Sequence, residues 1–128
     1  MALPPPPTVS FAHLPSGWHQ FAGDPGIYAL SWRHRQDALF GWAGSMPRDG
    51  IAVQVLFPNE KAHLPPLKLV MPRLPATTLE SAPDTPEYRI QGRIAGRDVE
   101  VWIDIRRRHP TEKQLRVAQR VVSTLRFT

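Results

Sequence analysis

Two runs of strictly alternating residues near the end of the chain, Tyr88–Ile94 and Val99–Ile105, restrict the fold more than anything else in its 128 residues. In the first, Tyr88, Ile90, Gly92 and Ile94 fall on one side and Arg89, Gln91 and Arg93 on the other. In the second, Val99, Val101, Ile103 and Ile105 oppose Glu100, Trp102 and Asp104. Successive side chains of a strand point to opposite faces, so a hairpin must bring the two apolar sets to a common side. The loop is therefore even in length: two residues, Ala95–Gly96, or four, Ala95–Asp98. The longer loop sets Arg93 opposite Glu100 and Arg89 opposite Asp104. The shorter pairs Arg93 with Asp98 and places Arg89 opposite Trp102. Either way these arginines meet local partners, each cross-strand pair contributing roughly 0.2–1 kcal/mol. Arg89 and Arg93 are expected to be structural rather than ligand-binding.

Behind the hairpin, Arg106–Arg107–Arg108 leads into a helix expected to begin near Pro110. Thr111-Glu112-Lys113-Gln114 has the form of a capping box, and Pro110 is at home at a helix start. Leu115, Ala118, Val121, Val122 and Leu125 recur at helical spacing and form an apolar stripe that predicts docking on the sheet. Lys113, Arg116 and Arg120 line the opposite side. A helix lying in a membrane surface usually carries bulkier apolar residues than Val and Ala.

Earlier in the chain, Val9–Leu14 reads as a short first strand, Asp24–Pro25–Gly26 as a turn and Ile27–Trp32 as a second strand. Arg33–Asp37 is polar and has no clear assignment; Ala38–Ala43 reads as a strand or a helical turn. Met46–Gly50 is a turn. Behind it, Ile51–Phe57 is apolar on both faces, which predicts a central strand covered on both sides. The chain has 15 prolines, more than twice the usual share of about 5 %. Six of them fall in 65–86, read as an irregular loop packed by its leucines, with a short edge strand at Leu67–Val70. Pro4–Pro7 read as an extended polyproline segment. The expected organisation is a Pro-rich flexible tail over 1–8 and a single α+β domain over 9–128. That domain would hold a mostly antiparallel sheet of five or six strands, with the C-terminal amphipathic helix packed on one face.

Chemistry is sparse. The chain has no cysteine, which excludes disulfides, thiolate catalysis and Cys-based zinc sites. Its five histidines (13, 19, 34, 63, 109) form no recognised ligand spacing, so no metal is expected. Gly-x-Ser-x-Gly and a glycine-rich phosphate loop are absent, and no carboxylate pair stands out as acid and base. No cofactor and no catalytic residue is assigned. No stretch approaches the ~18 apolar residues of a membrane span. The N-terminus has neither the basic region nor the long apolar stretch of a secretory signal, so the expectation is a cytoplasmic protein, or an exported one if a leader has been removed.

Charge is the remaining signal. Residues 105–128 hold six Arg and one Lys against Glu112 alone, net +6, while the first 104 residues sum to about −1. Such an end can face nucleic acid or another polyanion. The use of 13 Arg to three Lys is equally the mark of coding bias with solvated charges, the preferred reading. The candidate binding surface is Trp102, Arg106, Arg107, Arg108, Lys113, Arg116 and Arg120, where guanidiniums beside an indole suit an anionic or aromatic ligand. The expected function is a non-catalytic interaction module with a protein partner or self-association. Polyanion binding through the basic end is second, and a small enzyme third.

The chain's termini also resemble the PsbP-like fold of photosystem-associated lumenal proteins, Ran-binding import factors and bacterial lipoproteins. The similar features are Pro15-Ser-Gly-Trp18, the late strand pair, and a closing helix with Ala118, Val122 and Leu125 followed by Phe127. Leu125 lies three residues after Val122 rather than four, and no motif aligns in the middle of the chain. The resemblance implies an antiparallel sheet covered by helices and transfers no catalytic residue.

Overall fold

The hairpin closes through the shorter of its two permitted loops. Strands β6 (Ala82–Ile94) and β7 (Arg97–Ile105) are joined by Ala95–Gly96, whose φ angles of 52° and 76° make the mirror-image turn that matches strand twist. Arg93 lies opposite Asp98 and Arg89 opposite Trp102. This is a computed structural model, and it describes residues 3–23, 26–33, 46–60, 63–79 and 82–128.

Around the hairpin the chain builds a six-stranded sheet in the order β2-β3-β4-β7-β6-β5, every pair antiparallel. The other members are β2 (His19–Gly23), β3 (Gly26–Leu30), β4 (Ile51–Leu56) and β5 (Thr77–Leu79). The fold class is thus the expected α+β arrangement. Strand β4 lies inside the sheet, as its two apolar faces require. Val53 and Val55 enter the main core, while Ala52 joins Leu30 and Met46 in a smaller cluster on the far side. Val99, Val101, Ile103 and Ile105 are fully buried, and Ala118, Val121 and Val122 of helix α1 (Glu112–Ser123) cover them. Each such aliphatic side chain contributes about 1.5–3 kcal/mol by leaving water. We call this covered side the inner face of the sheet, and the other the outer face.

The helix begins as its sequence predicts. The Thr111 hydroxyl accepts from the Gln114 backbone N–H at 3.1 Å, and Gln114 Oε1 accepts from the Thr111 N–H at 2.9 Å. Its end differs from expectation: Leu125 is not part of the helical stripe. Thr124 caps the helix, and Leu125–Phe127 forms a short strand, β8, paired with β1 (Val9–Phe11) in a separate two-stranded ribbon. Leu125 still reaches the core, because a strand following the helix can bury the same side chain.

Two other expectations are corrected, and one strand was not foreseen. Leu67–Val70 is not a strand; only Pro66 forms a bridge, parallel to Arg93. The stretch 65–86 is not irregular throughout. Thr77–Leu79 is β5, and β6 begins at Ala82, with Pro83 and Pro86 tolerated near the sheet's edge and a register shift between Thr78 and Leu79. Strand β2 lacked an apolar pattern to announce it, since it is an edge strand exposed along most of its length. Ala38–Ala43 and most of Arg33–Asp37 lie outside the described residues.

Candidate functional site

The outer face of the hairpin holds the most unusual chemistry among the described residues. Glu87 and Asp104 sit directly opposite each other on β6 and β7 and are 3 % and 1 % exposed. A side-chain hydrogen bond links the two acids. Burial, then that hydrogen bond, then the negative charge of Glu87 push Asp104 up from 3.8 to about 9, against the opposing pull of Arg89. Asp104 therefore holds a proton at neutral pH, and Oδ1 of its carboxyl has no hydrogen-bond partner among the described residues. Glu87 lies beside a cation: Arg89 Nη2 and Nε are each 2.9 Å from Glu87 Oε1. The same guanidinium stacks over Trp102, with its carbon 4.6 Å from the ring centroid. The indole N–H donates to Glu100 Oε2 at 3.1 Å.

Sequence reading missed the acid pair because Glu87 lay just outside the assigned strand. Extending the alternation of Arg89, Gln91 and Arg93 back by one step puts Glu87 on the same face, opposite Asp104 in the two-residue register. A cleft of about 270 Å³ lined by Thr77, Thr78, Leu79, Glu87, Arg89 and Trp102 opens beside the pair. Asp104 does not line it. One proton shared between two carboxyls resembles an acid–base pair in composition, yet its protonated member is sealed from that cleft.

The residues of the sequence-derived surface do not form one site. Trp102 faces outward from the sheet, whereas α1, with Lys113, Arg116 and Arg120 exposed on its far side, covers the inner face. The arginine triplet is divided as well. Arg106 is half-buried, donates to the Met46 carbonyl and lies 3.6 Å from Asp84. Arg107 meets Asp49 at 3.3 Å. Asp49, held at φ 65° in the Met46–Gly50 turn, also accepts from Gln114 Nε2 at 3.0 Å and so ties that turn to the helix start. Asp49 belongs to the turn expected at Met46–Gly50, and Asp84 lies in β6. Arg108 is exposed and borders a cleft with Tyr88, His109 and Pro110. Arg116 lies 3.9 Å from Glu112, one helical turn away, on the open surface.

The hairpin arginines behave as local partners in one case and not in the other. Arg89 is fixed by Glu87 and Trp102. Asp98 lies opposite Arg93, but its carboxylate accepts instead from the backbone N–H groups of His63 and Leu64 at 3.1 and 3.3 Å. Arg97 is buried and donates to the Pro4 and Pro58 carbonyls, which brings the Pro4 end of the proline run against the hairpin turn.

A larger cleft, about 720 Å³, lies elsewhere, between β6 and the segment Pro65–Pro75. That segment bows away from the sheet. Leu67, Leu69 and Met71 pack on the core, and Gln119 of α1 holds it by accepting from the Met71 N–H and donating to the Leu69 carbonyl, each at 2.8 Å. Val70 and Leu74 point the other way, 70 % and 78 % exposed. Among the described residues there is no cluster of three or more metal-ligating side chains, and no helix is long and apolar enough to cross a membrane. No family model, curated protein or solved structure matches the chain.

Proposed function

We propose that this domain is a non-catalytic interaction module, and that it meets a protein partner along the Pro65–Pro75 bow and the cleft beside it. One observation carries the reading. Val70 and Leu74, the large apolar side chains left exposed among the described residues, both stand on this bow, whose alternate apolar residues are packed inward. A bow held by hydrogen bonds at its middle presents those side chains on a fixed ridge rather than a collapsing loop, and exposed apolar surface beside a cleft favours association. The experiment is site-specific photocrosslinking from position 70 in the native host, compared with the Val70→Glu, Leu74→Glu double variant. A discrete crosslinked species that the double variant loses is the expected result. The same species from both proteins, or none from position 70, sinks the reading.

Binding of a polyanion is a second reading, favoured by the exposed row Lys113, Arg116 and Arg120 with Arg108 near the helix start. Arg106 and Arg107 are engaged by Asp84 and Asp49, so the row is weaker than the sequence charge suggests. Affinity for heparin or duplex DNA that fails to drop steeply between low and moderate salt rules this reading out.

A further inference from the structure

The backbone of β6 explains what the 720 Å³ cleft is built to hold. In an antiparallel pair joined by a two-residue turn, the residues flanking the turn exchange hydrogen bonds, and every second residue along the strand does likewise. Ile94, Gly92, Ile90 and Tyr88 therefore bond to β7, opposite Arg97, Val99, Val101 and Ile103. Arg93, Gln91, Arg89 and Glu87 direct their N–H and C=O groups the other way, toward the outer edge. Two of these four have partners there. Arg93 N–H donates to the Pro65 carbonyl at 2.8 Å, and its carbonyl accepts from the Leu67 N–H at 3.0 Å. The Glu87 carbonyl accepts from the Ala76 N–H at 2.8 Å. Between them, the backbone groups of Arg89 and Gln91 have no hydrogen-bond partner among the described residues.

The gap follows from the path of the bow. At its first end Leu67 lies against Gly92, so closely that a Cβ on that glycine would come within 2.4 Å of the Leu67 Cα. The chain then leaves the edge for α1 and returns only at Ala76. Glu87 to Arg93 spans six residue steps, or about 20 Å of strand, leaving room for a segment of about five residues. The side chains beside the gap lean away from it. Arg89 is held over Trp102, and Gln91 Nε2 donates to Glu100 Oε1 at 2.8 Å, both on β7. An edge left open in this way is a template for another strand.

We propose that an extended acidic–apolar–acidic peptide of a partner protein adds to β6 as an antiparallel strand, pairing with the backbone of Arg89 and Gln91. This deepens the interaction reading above and rests on it. The two peptide residues opposite Arg89 and Gln91 share the outer face with them, where Arg89 and Gln91 already meet Glu87 and Glu100 but Arg93 stands exposed one pair along the same face. Lys68 adds a second cation to the rim. Acidic residues suit those two positions. The residue between them points inward beside Ile90, against Pro66, Val70, Met71 and Pro72, and an aliphatic side chain fits there. A second copy offering its own β6 is a poor occupant, because that edge lies recessed between Leu67 and Ala76 of its own chain.

The probe is a blocked synthetic peptide with Glu-Val-Glu at its centre and threonines on either side. Three results are expected. N-methylation of both glutamates, whose N–H groups face β6, weakens binding at least tenfold, while N-methylation of the valine, whose N–H faces away, changes it less than threefold. Replacing both glutamates by lysine also weakens binding at least tenfold. Hydrogen exchange at the Arg89 and Gln91 amides slows at least tenfold in the complex, with Ile90 already slow in the free protein. Gln91→Pro removes an edge donor without touching the β7 ladder and abolishes binding; should that variant not fold, the N-methylated peptides decide alone. Binding that leaves those two amides unprotected, or equal loss from both N-methylation patterns, overturns strand addition and leaves the interaction reading standing. No binding of the probe overturns the acidic–apolar chemistry, whereas the interaction reading falls only with the crosslink from position 70.

Discussion

The two faces of the closing hairpin are made of alternate residues of the same two strands, and they solve burial in opposite ways. Inward, Val99, Val101, Ile103 and Ile105 meet the apolar stripe of α1 and lose only contact with water. Outward, Glu87 and Asp104 are almost as buried, but a carboxylate can leave water only if it is neutralised or paired. Here one acid takes each route. Asp104 keeps its proton, and Glu87 is paired with Arg89. The inner face titrates only through Tyr88, whose burial pushes its hydroxyl up from 10.0, so near neutral pH the outer face alone is tied to pH. Equal burial does not mean equal energetics.

The comparison breaks most directly at Ile103. Ile103→Ala leaves a cavity under the helix and is expected to cost about 2–5 kcal/mol in urea unfolding, by the same amount at pH 4 and pH 8, both below the range in which the neighbouring Tyr88 titrates. A loss that varies strongly with pH removes the distinction between the faces. On the outer face the sign follows from Asp104. Its proton is held up to about 9 in the folded protein and released from 3.8 upward in the unfolded chain. Between those values the folded state binds more protons, so Asp104's contribution is fully present below 3.8 and is lost as pH rises through about 9. Asp104→Asn, which keeps a donor toward Glu87, should flatten this decline and raise the thermal midpoint over wild type at pH 8 but not at pH 4. Parallel profiles for the two proteins sink the assignment.

Removing the cation sharpens the comparison further. Arg89→Met leaves Glu87 buried without its partner, a loss of about 1–3 kcal/mol because Arg89 is itself partly solvated. Adding Glu87→Gln should restore most of it, and a double-mutant cycle with no coupling argues against the pair. The smallest effect belongs to the cover of the inner face. Thr111→Ala removes the helix cap and should cost about 1 kcal/mol, with no change in the pH profile.

Much of this fold can be read from local pattern. The parity of the hairpin, the capping box at Thr111, the inward stripe of Ala118, Val121 and Val122, and the two-sided burial of Ile51–Leu56 all follow from side-chain period and turn chemistry. The errors fall where neighbours rather than pattern decide. Leu125 has helical spacing, but β1 offers Leu125–Phe127 a strand partner, and the chain takes it. Leu67–Val70 has the composition of an edge strand, but Gln119 draws it toward the helix. Arg106 and Arg107 were placed on one binding surface because their partners, Asp84 and Asp49, are distant in sequence and adjacent only after folding.

The sequence by itself determined the alternation of β6 and β7, their even turn, the helix and the face it buries, because each rests on contacts within a few residues. Only the tertiary structure decided that Trp102 and the helix cations lie on opposite sides of the sheet, that Glu87 and Asp104 meet, and that β6 is left unpaired at Arg89 and Gln91. Those outcomes depend on which of two permitted registers forms and on where a proline-rich bow is tethered. Both are settled by contacts between residues far apart in the chain, which no local pattern records.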